Sequence, residues 1–167
     1  KLMLTVSDDI LCELGKIVVF QAHMESSVGR YIGDLLGVNA NQGQIITAEL
    51  SFKNLIGILS SLLIERLGES SPLYTEFKEI KKGLYEFENF RNSVAHSIWA
   101  HGHGFDSGAA TRMKITSKES KGLKHQWEQV QLTSLVEALE KAGDTQIKLA
   151  YFMAKVTGVP ITVIEAA

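Results

Sequence analysis

An apolar stripe with helical spacing between residues 73 and 98 constrains the fold more than any other feature. Taken at alternating steps of four and three, its positions are apolar with one exception: Leu73, Phe77, Ile80, Leu84, Phe87, Arg91, Val94 and Ile98. This spacing predicts a long helix that turns one face toward a core. Because an unpaired buried charge is costly, Arg91 is the position of this stripe that requires an explanation.

A second series of side chains follows one residue further along the same predicted helix. It is polar and aromatic: Tyr85, Asn89, Asn92, His96 and Trp99. The two series together place a guanidinium and an imidazole about one and a half turns apart. We interpret them as a polar seam that faces something other than plain solvent.

Three more helices are predicted from the same kind of spacing and from cap residues at their ends. The four predicted helices cover residues 8–36 after the cap Ser7, residues 48–67, residues 72–100 after Ser71, and residues 135–156 after a cap at Thr133 or Ser134. Gly143 and Asp144 bend or split the last helix in this interpretation. Helices of this length with short connections favour an antiparallel bundle.

Two short strands are predicted between the third and fourth helices, at residues 111–117 and 123–131. In the first, the basic and polar residues Arg112, Lys114 and Thr116 alternate with Met113 and Ile115, as is typical of a strand with two unlike faces. The predicted fold class is therefore mainly α, an antiparallel bundle of four long helices with a small β-hairpin inserted before the last helix. No linker or repeat divides the chain, so we expect a single domain over residues 1–167.

Composition excludes several classes of protein. Of the 167 residues, 45% are hydrophobic and 22% charged, which is ordinary for a soluble globular chain, and a net charge of −2 gives no overall attraction to nucleic acid. The single cysteine, Cys12, excludes an intrachain disulfide and a multi-cysteine zinc site; its apolar helical surroundings predict a buried thiol. The apolar runs are too short for a membrane span and no secretory signal is evident, so a cytoplasmic protein without a membrane partner is expected.

Arg91 and His96 carry the clearest candidate chemistry. An imidazole takes or gives a proton near neutral pH, and a guanidinium is a permanently charged fork of donors that fits phosphate. Together they suit the cleavage of RNA by its own 2′-hydroxyl, with no metal ion. The alternative is structural: Arg91 pairs with Glu88 or with an acid on another helix, and His96 is a hydrogen-bonded packing residue.

The segment Arg91-Asn92-Ser93-Val94-Ala95-His96, late in a long helix of a small bundle, resembles the HEPN family of helical domains. Members of that family carry an arginine, four to six further residues and a histidine, and a polar residue often follows the arginine. Members with this motif are commonly metal-independent ribonucleases of toxin–antitoxin or phage-defence systems. The resemblance implies catalytic roles for Arg91 and His96 and a supporting, substrate-binding role for Asn92.

The resemblance also implies partners. The family works as homodimers in which two copies of the motif meet across a cleft, so RNA as substrate, a second copy and an antitoxin protein are the expected partners. Toxins paired with nucleotidyltransferase antitoxins often have a tyrosine two residues after the histidine, where this chain has Ile98. Modification by such an antitoxin is therefore not expected. The rival interpretation is a catalytically silent dimeric helical module that recognises a protein partner or a nucleotide.

A basic cluster lies in and around the predicted hairpin. Between residues 112 and 124 the only acid is Glu119, against five basic residues: Arg112, Lys114, Lys118, Lys121 and Lys124. Such a cluster binds a phosphate backbone through counterion release, so we predict that these five contact the substrate. The alternative is a solvated edge that lysines protect against aggregation. Trp127 either stacks on a base or, as is commoner in hairpins, packs on the helices beneath.

A glycine-rich loop follows the third predicted helix. It contains His101, His103 and Asp106, which with His96 suggest a metal-dependent hydrolase as a third, remoter interpretation. Their spacing matches no strong metal-binding template. We therefore expect no cofactor and no metal site.

Overall fold

The computed structural model describes residues 6–101, 109–118 and 122–159. In this part of the chain the fold is mainly helical, with a small antiparallel sheet before the last helix, as predicted. The elements in chain order are α1 Asp8–Leu36, α2 Ala40–Thr47, α3 Phe52–Leu67, α4 Pro72–Ala95, β1 Ile98–His101, β2 Ala109–Lys118, β3 Gly122–Gln131 and α5 Leu132–Thr157.

Cap residues fix the ends of the long helices where the sequence predicted them. The Oγ atom of Ser7 accepts a hydrogen bond from the backbone N–H of Ile10 at 3.4 Å. Gly37, with a φ of 69°, follows the last residue of α1, and a left-handed residue of this kind is the usual C-terminal stop. At the start of α4, the N–H of Thr75 donates to the carbonyl of Ser71 at 3.0 Å. The predicted bounds of α1 and the predicted start of α4 are therefore confirmed.

The segment before α3 differs from the prediction of one helix over residues 48–67. Residues of the predicted loop form the short helix α2, because Asn39 and Gln42 make a complete capping box. The Asn39 side chain accepts from the Gln42 N–H at 3.0 Å, and the Gln42 side chain accepts from the Asn39 N–H at 3.1 Å. A second cap at Ser51, which accepts from the N–H of Asn54 at 3.3 Å, starts α3 four residues later than predicted.

The end of α4 also differs from the prediction, which extended this helix to about Ala100. The helix ends at Ala95, and Ile98 begins a strand. Two side chains beyond the helix satisfy its last carbonyl groups: Ser97 Oγ donates to the Ser93 oxygen at 2.5 Å, and Trp99 Nε1 donates to the Val94 oxygen at 2.8 Å. Since orphan carbonyls at a helix end need such donors, these bonds stabilise the early stop.

The sheet has three strands in the order β1-β2-β3, and both pairings are antiparallel. The β2–β3 hairpin confirms the two predicted strands, whereas β1 was missed. Register aligns Trp99 with Arg112 and Arg112 with Glu128, so these three side chains project from one face. Helix α5 begins directly after β3, so the predicted caps at Thr133 and Ser134 are wrong, and α5 continues unbroken through Gly143.

The chain divides into two compact units, each with buried apolar side chains. The first unit comprises Lys1–Gln21 and Asn89–Glu140, and the second comprises Ala22–Glu88 and Lys141–Ala167. Buried residues of the first unit include Ile10, Ile17, Val94, Val130 and Leu135, and those of the second include Met24, Val28, Leu59, Phe77, Leu84, Leu149 and Phe152. The single domain over residues 1–167 stays a prediction.

Close helix contacts in the second unit depend on glycine. A Cβ atom added to Gly83 in α4 would lie 2.8 Å from Oγ1 and 2.9 Å from Cγ2 of Thr145 in α5, and one added to Gly29 in α1 would lie 2.9 Å from Thr47 Oγ1 in α2. All three distances are too short for a real Cβ atom. These helices therefore approach each other only because the two positions have no side chain.

The thiol of Cys12 was predicted to be buried. Cys12 is exposed, so the predicted buried thiol is wrong: the buried face of α1 passes through Ile10 and Ile17, and Cys12 lies off that face. None of the helices in the described ranges has both the length and the apolar character that crossing a bilayer requires.

Candidate active site

Arg91 lies four residues before the end of α4 and is half-buried. Its neighbours on the predicted stripe, Phe87 and Val94, are buried. Arg91 Nη1 donates to the Asn92 side-chain oxygen at 2.8 Å. The Asn92 amide thus orients the guanidinium.

His96 is exposed and stands one residue beyond the end of α4. His96 was predicted to lie on a face of the helix, but it is part of the turn between α4 and β1. Its backbone N–H donates to the Asn92 carbonyl at 3.3 Å, which fixes the start of the turn. The imidazole of His96 is therefore accessible. The His96 backbone is bonded to Asn92, whose side chain also accepts a hydrogen bond from Arg91.

Arg112 links the sheet to the end of α4. Its Nη1 atom donates to Ser93 Oγ at 2.6 Å and its Nε atom donates to Glu128 Oε2 at 2.9 Å, while Nη2 donates to the same carboxylate oxygen. A charge-assisted pair on neighbouring strands is a strong positioning contact. Arg112 therefore has a structural role in this arrangement, and its predicted contact with substrate stays a prediction.

Two of the predicted substrate-binding lysines are exposed on the same sheet face as Arg112. Lys114 in β2 and Lys124 in β3 are both exposed. Lys114 is opposite Gln126, and Lys124 is opposite Thr116, two residues along β2 from Lys114. The two lysines are therefore diagonal neighbours on this face. Lys118 is the last residue of β2, and Lys121 lies outside the described residues. The structure thus brings Arg112, Lys114 and Lys124 to one face.

Ser93 and Trp99 help to build the site, which was not predicted for either residue. Ser93 Oγ donates to the Phe90 carbonyl at 2.7 Å and accepts from Arg112, so it connects α4 with β2. Trp99 was assigned to the polar face of the helix, yet it lies in β1 and its indole caps α4. A serine late in a helix is a weak signal for such a contact, because its partner lies 19 residues away.

Trp127 does not pack on the helices beneath the sheet, which was the commoner of the two predicted outcomes. Its side chain is 64% exposed. It shares its sheet face with Met113, the residue directly opposite it. An aromatic ring is therefore open to solvent on the face opposite to that of Arg112.

The loop that suggested a metal site falls largely outside the described residues, since His103 and Asp106 lie between residues 102 and 108. Within the described ranges, no group of three or more histidine, cysteine, aspartate or glutamate side chains is arranged to hold a metal ion. His96, which the predicted metal site also included, is an exposed residue of the turn after α4.

A groove in the second unit was not predicted. It has a volume of about 500 Å³ and lies between the end of α1, α2 and the start of α3. Its floor includes Gly29, Gly33 and Gly43, and charged side chains at its border include Arg30 and Asp34. The glycine spacing on α1 was the available signal, but identifying the groove required α2, which the sequence did not predict.

Comparison of the chain with protein-family models, curated sequences and solved structures finds no match.

Proposed function

We propose that the protein is a metal-independent endoribonuclease of the HEPN type, with Arg91 and His96 as its catalytic residues. The observation that carries the proposal is the geometry at the end of α4. There Asn92 holds the guanidinium of Arg91 through its side chain and the backbone of His96 through its carbonyl. A cation and an accessible imidazole that are both bonded to one residue are groups that can catalyse phosphodiester cleavage.

In this mechanism the 2′-hydroxyl of the substrate is the nucleophile. The imidazole of His96 takes the proton of that hydroxyl, the 2′-oxygen forms a bond to phosphorus, and the bond from phosphorus to the 5′-oxygen breaks. The leaving 5′-oxygen receives a proton from an imidazole in its acid form. Arg91 stabilises the negative charge that builds up on the phosphoryl oxygens. The products are a 2′,3′-cyclic phosphate and a 5′-hydroxyl end.

The proton balance supports a homodimer. One imidazole accepts a proton while another donates one, and each chain supplies a single His96. A two-fold interface brings two equivalent groups together, so we propose that the cleft forms where two copies meet. An antiparallel bundle of four long helices, a cytoplasmic location, and a toxin or phage-defence role with an antitoxin partner belong to the same proposal.

The experiment is RNA cleavage in EDTA by the purified protein, with product ends examined. We expect cyclic phosphate ends, and we expect Arg91→Ala and His96→Ala each to lower the rate by about 10² or more. Matched controls are Arg66→Ala and His23→Ala, which change exposed residues of the same types in the second unit. Both controls should cleave at the wild-type rate.

Three results would contradict the proposal, and each favours a different account. Cleavage that persists in both Arg91→Ala and His96→Ala would show that the assigned site is wrong. Absence of cleavage with every RNA tested would favour the catalytically silent module that recognises a protein or nucleotide. Activity that appears only when Zn²⁺ is added would favour the metal-dependent hydrolase.

A further inference from the structure

One face of the sheet carries an exposed apolar patch. Strand alternation and the register place six residues of this apolar sheet face together: Ile98, Met113, Ile115, Leu123, His125 and Trp127. Four of them are large apolar side chains with between 47% and 65% of their surface exposed. A contiguous exposed apolar surface of this kind marks a binding site more often than scattered single residues do.

A row of side chains crosses the face from edge to edge. Ile98 is opposite Met113, and Met113 is opposite Trp127. Adjacent strands are about 4.8 Å apart, so the row extends about 10 Å from the β3 edge to the β1 edge. His96 precedes Ile98 by two residues. One end of this row is therefore two residues along the chain from the proposed catalytic histidine.

The hairpin that carries this face is the basic part of the protein. Residues 109–131 contain five basic and two acidic side chains, whereas the whole chain has a net charge of −2. Lys114 and Lys124 are exposed on the opposite face of the sheet, and long lysine side chains reach around a strand edge such as β3. A ligand that fits both features has flat apolar groups joined by a negatively charged backbone.

We propose that the apolar sheet face binds unpaired bases of single-stranded RNA, with Trp127 as the principal stacking residue. The inference rests on the proposed ribonuclease function and names its substrate class. Unpaired bases present their flat faces to aromatic side chains, whereas bases inside a duplex do not. The nearby lysines favour a polyanion over an apolar protein partner, since phosphate neutralises their charge.

The test measures binding without cleavage, using His96→Ala protein and a fluorescently labelled single-stranded RNA 12-mer. Binding is compared with that of a duplex of the same sequence. We expect the single strand to bind at least tenfold more tightly than the duplex, and Trp127→Ala to weaken its binding about 5- to 100-fold. Trp127→Phe should retain most of the affinity, because the ring is kept.

The matched control is Tyr151→Ala. Tyr151 is an aromatic residue of α5 with 65% exposure, against 64% for Trp127, and its removal should leave RNA binding unchanged. Quenching of tryptophan fluorescence by the RNA gives a second readout, and its loss in Trp127→Phe would assign the quenching to Trp127 and not to Trp99. Replacement of Lys114 or Lys124 by glutamine should lower the slope of log affinity against log salt by about 1 each.

Several results would overturn the inference. Wild-type affinity in Trp127→Ala, or equal binding of the duplex, would show that the face does not stack bases. Conversion of a dimer to a monomer by Trp127→Ala, measured by sedimentation, would show that a second copy covers the face. Trp127-dependent binding without any cleavage by the wild-type protein would contradict the ribonuclease function but support the RNA-binding face. Cleavage without Trp127-dependent binding would contradict the RNA-binding face alone.

Discussion

Near the end of α4, a side-chain hydrogen bond to Asn92 orients Arg91. The Asn92 amide oxygen accepts from Arg91 Nη1 at 2.8 Å, and the same residue's carbonyl accepts from the His96 N–H. Asn92 is thus a positioning residue for both members of the proposed catalytic pair. Its side chain acts on Arg91, whereas its backbone acts on His96 and is insensitive to substitution.

Asn92→Ala should lower the rate of RNA cleavage by about tenfold, because the guanidinium loses its orientation but not its charge. Asn92→Asp keeps an acceptor oxygen at the same position but places a negative charge against Arg91, so it should recover little of the rate. The measurement is single-turnover cleavage in EDTA, with thermal melts to show that both variants fold. Equal rates for Asn92→Ala and the wild type would contradict the positioning role.

Arg112 should contribute more to stability than the lysines beside it. Arg112→Ala removes bonds to Ser93 and to Glu128, so we expect the free energy of unfolding to fall by about 1–3 kcal/mol. Lys114→Ala, the matched change two residues along the same strand face, should stay within about 0.5 kcal/mol of the wild type. Chemical denaturation measures both, and equal losses in the two variants would exclude the structural role of Arg112.

The burial of Arg91 could be predicted from the sequence, whereas the position of His96 and the contacts of Arg112 could not. Arg91 interrupts an apolar stripe, which is a local signal, and the structure does place it half-buried beside Phe87 and Val94. The setting of His96 and the contacts of Arg112 depend on strand pairing over about 15 to 20 residues. Such pairing leaves no periodic signal near His96, so its position beyond the helix was not predicted.

Among the elements, α4 and α5 in the second unit illustrate packing that glycine permits. Gly83 lies so close to Thr145 that both branches of the threonine would contact an added Cβ atom. Rotation about the threonine side chain therefore gives no relief. Thr145 is buried, and its Oγ1 donates to the Lys141 carbonyl at 2.9 Å.

Gly83→Ala should therefore destabilise the protein, although alanine is favoured in helices by about 1 kcal/mol. We expect a net loss of about 1–2 kcal/mol from overpacking, and partial recovery in Gly83→Ala combined with Thr145→Ala. Gly57→Ala in α3 is the control, since nothing lies within 4 Å of an added Cβ atom there, and it should stabilise by up to about 1 kcal/mol. A stabilised Gly83→Ala protein in thermal or chemical unfolding would refute the close approach.

An exposed ion pair between the same two helices gives a prediction for pH. Lys141 Nζ lies 2.6 Å from Glu86 Oε2, and this contact lowers the pKa of Glu86. A carboxyl whose pKa is lower in the folded state stabilises the fold above its unfolded pKa, and loses that contribution as pH falls through the folded value. NMR titration should show the Glu86 pKa rising in Lys141→Gln, and an unchanged titration would contradict the pair.

Element ends were predicted where cap signals are strong and local. Ser7, Gly37 and Ser71 mark ends that the structure confirms. The short helix α2 was missed because its capping box at Asn39 and Gln42 lies in a stretch rich in asparagine and glycine, which reads as a loop. The strand β1 was missed because its first two residues, Ile98 and Trp99, continue the two helical series, and only pairing with β2 decides between the two structures.

For the whole molecule, the periodic signals predicted a mainly helical chain with strands before the last helix, and that much is confirmed. The division into two compact units and the third strand depend on long-range contacts, which periodicity does not encode. Charge is also unevenly distributed, since residues 109–131 are basic in a chain of net charge −2. The proposed substrate therefore has to be recognised by this local region and not by the overall charge.

The proposed mechanism needs the imidazoles of two chains in one cleft, because one accepts a proton while the other donates one. The direct test mixes wild-type protein with a roughly tenfold excess of inactive His96→Ala protein under conditions that allow subunits to exchange, and then measures RNA cleavage in EDTA. Random exchange leaves about one wild-type chain in eleven paired with another wild-type chain, and a mixed dimer holds only one imidazole. We therefore expect the activity per wild-type chain to fall to about a tenth; unchanged activity per wild-type chain would contradict the composite site.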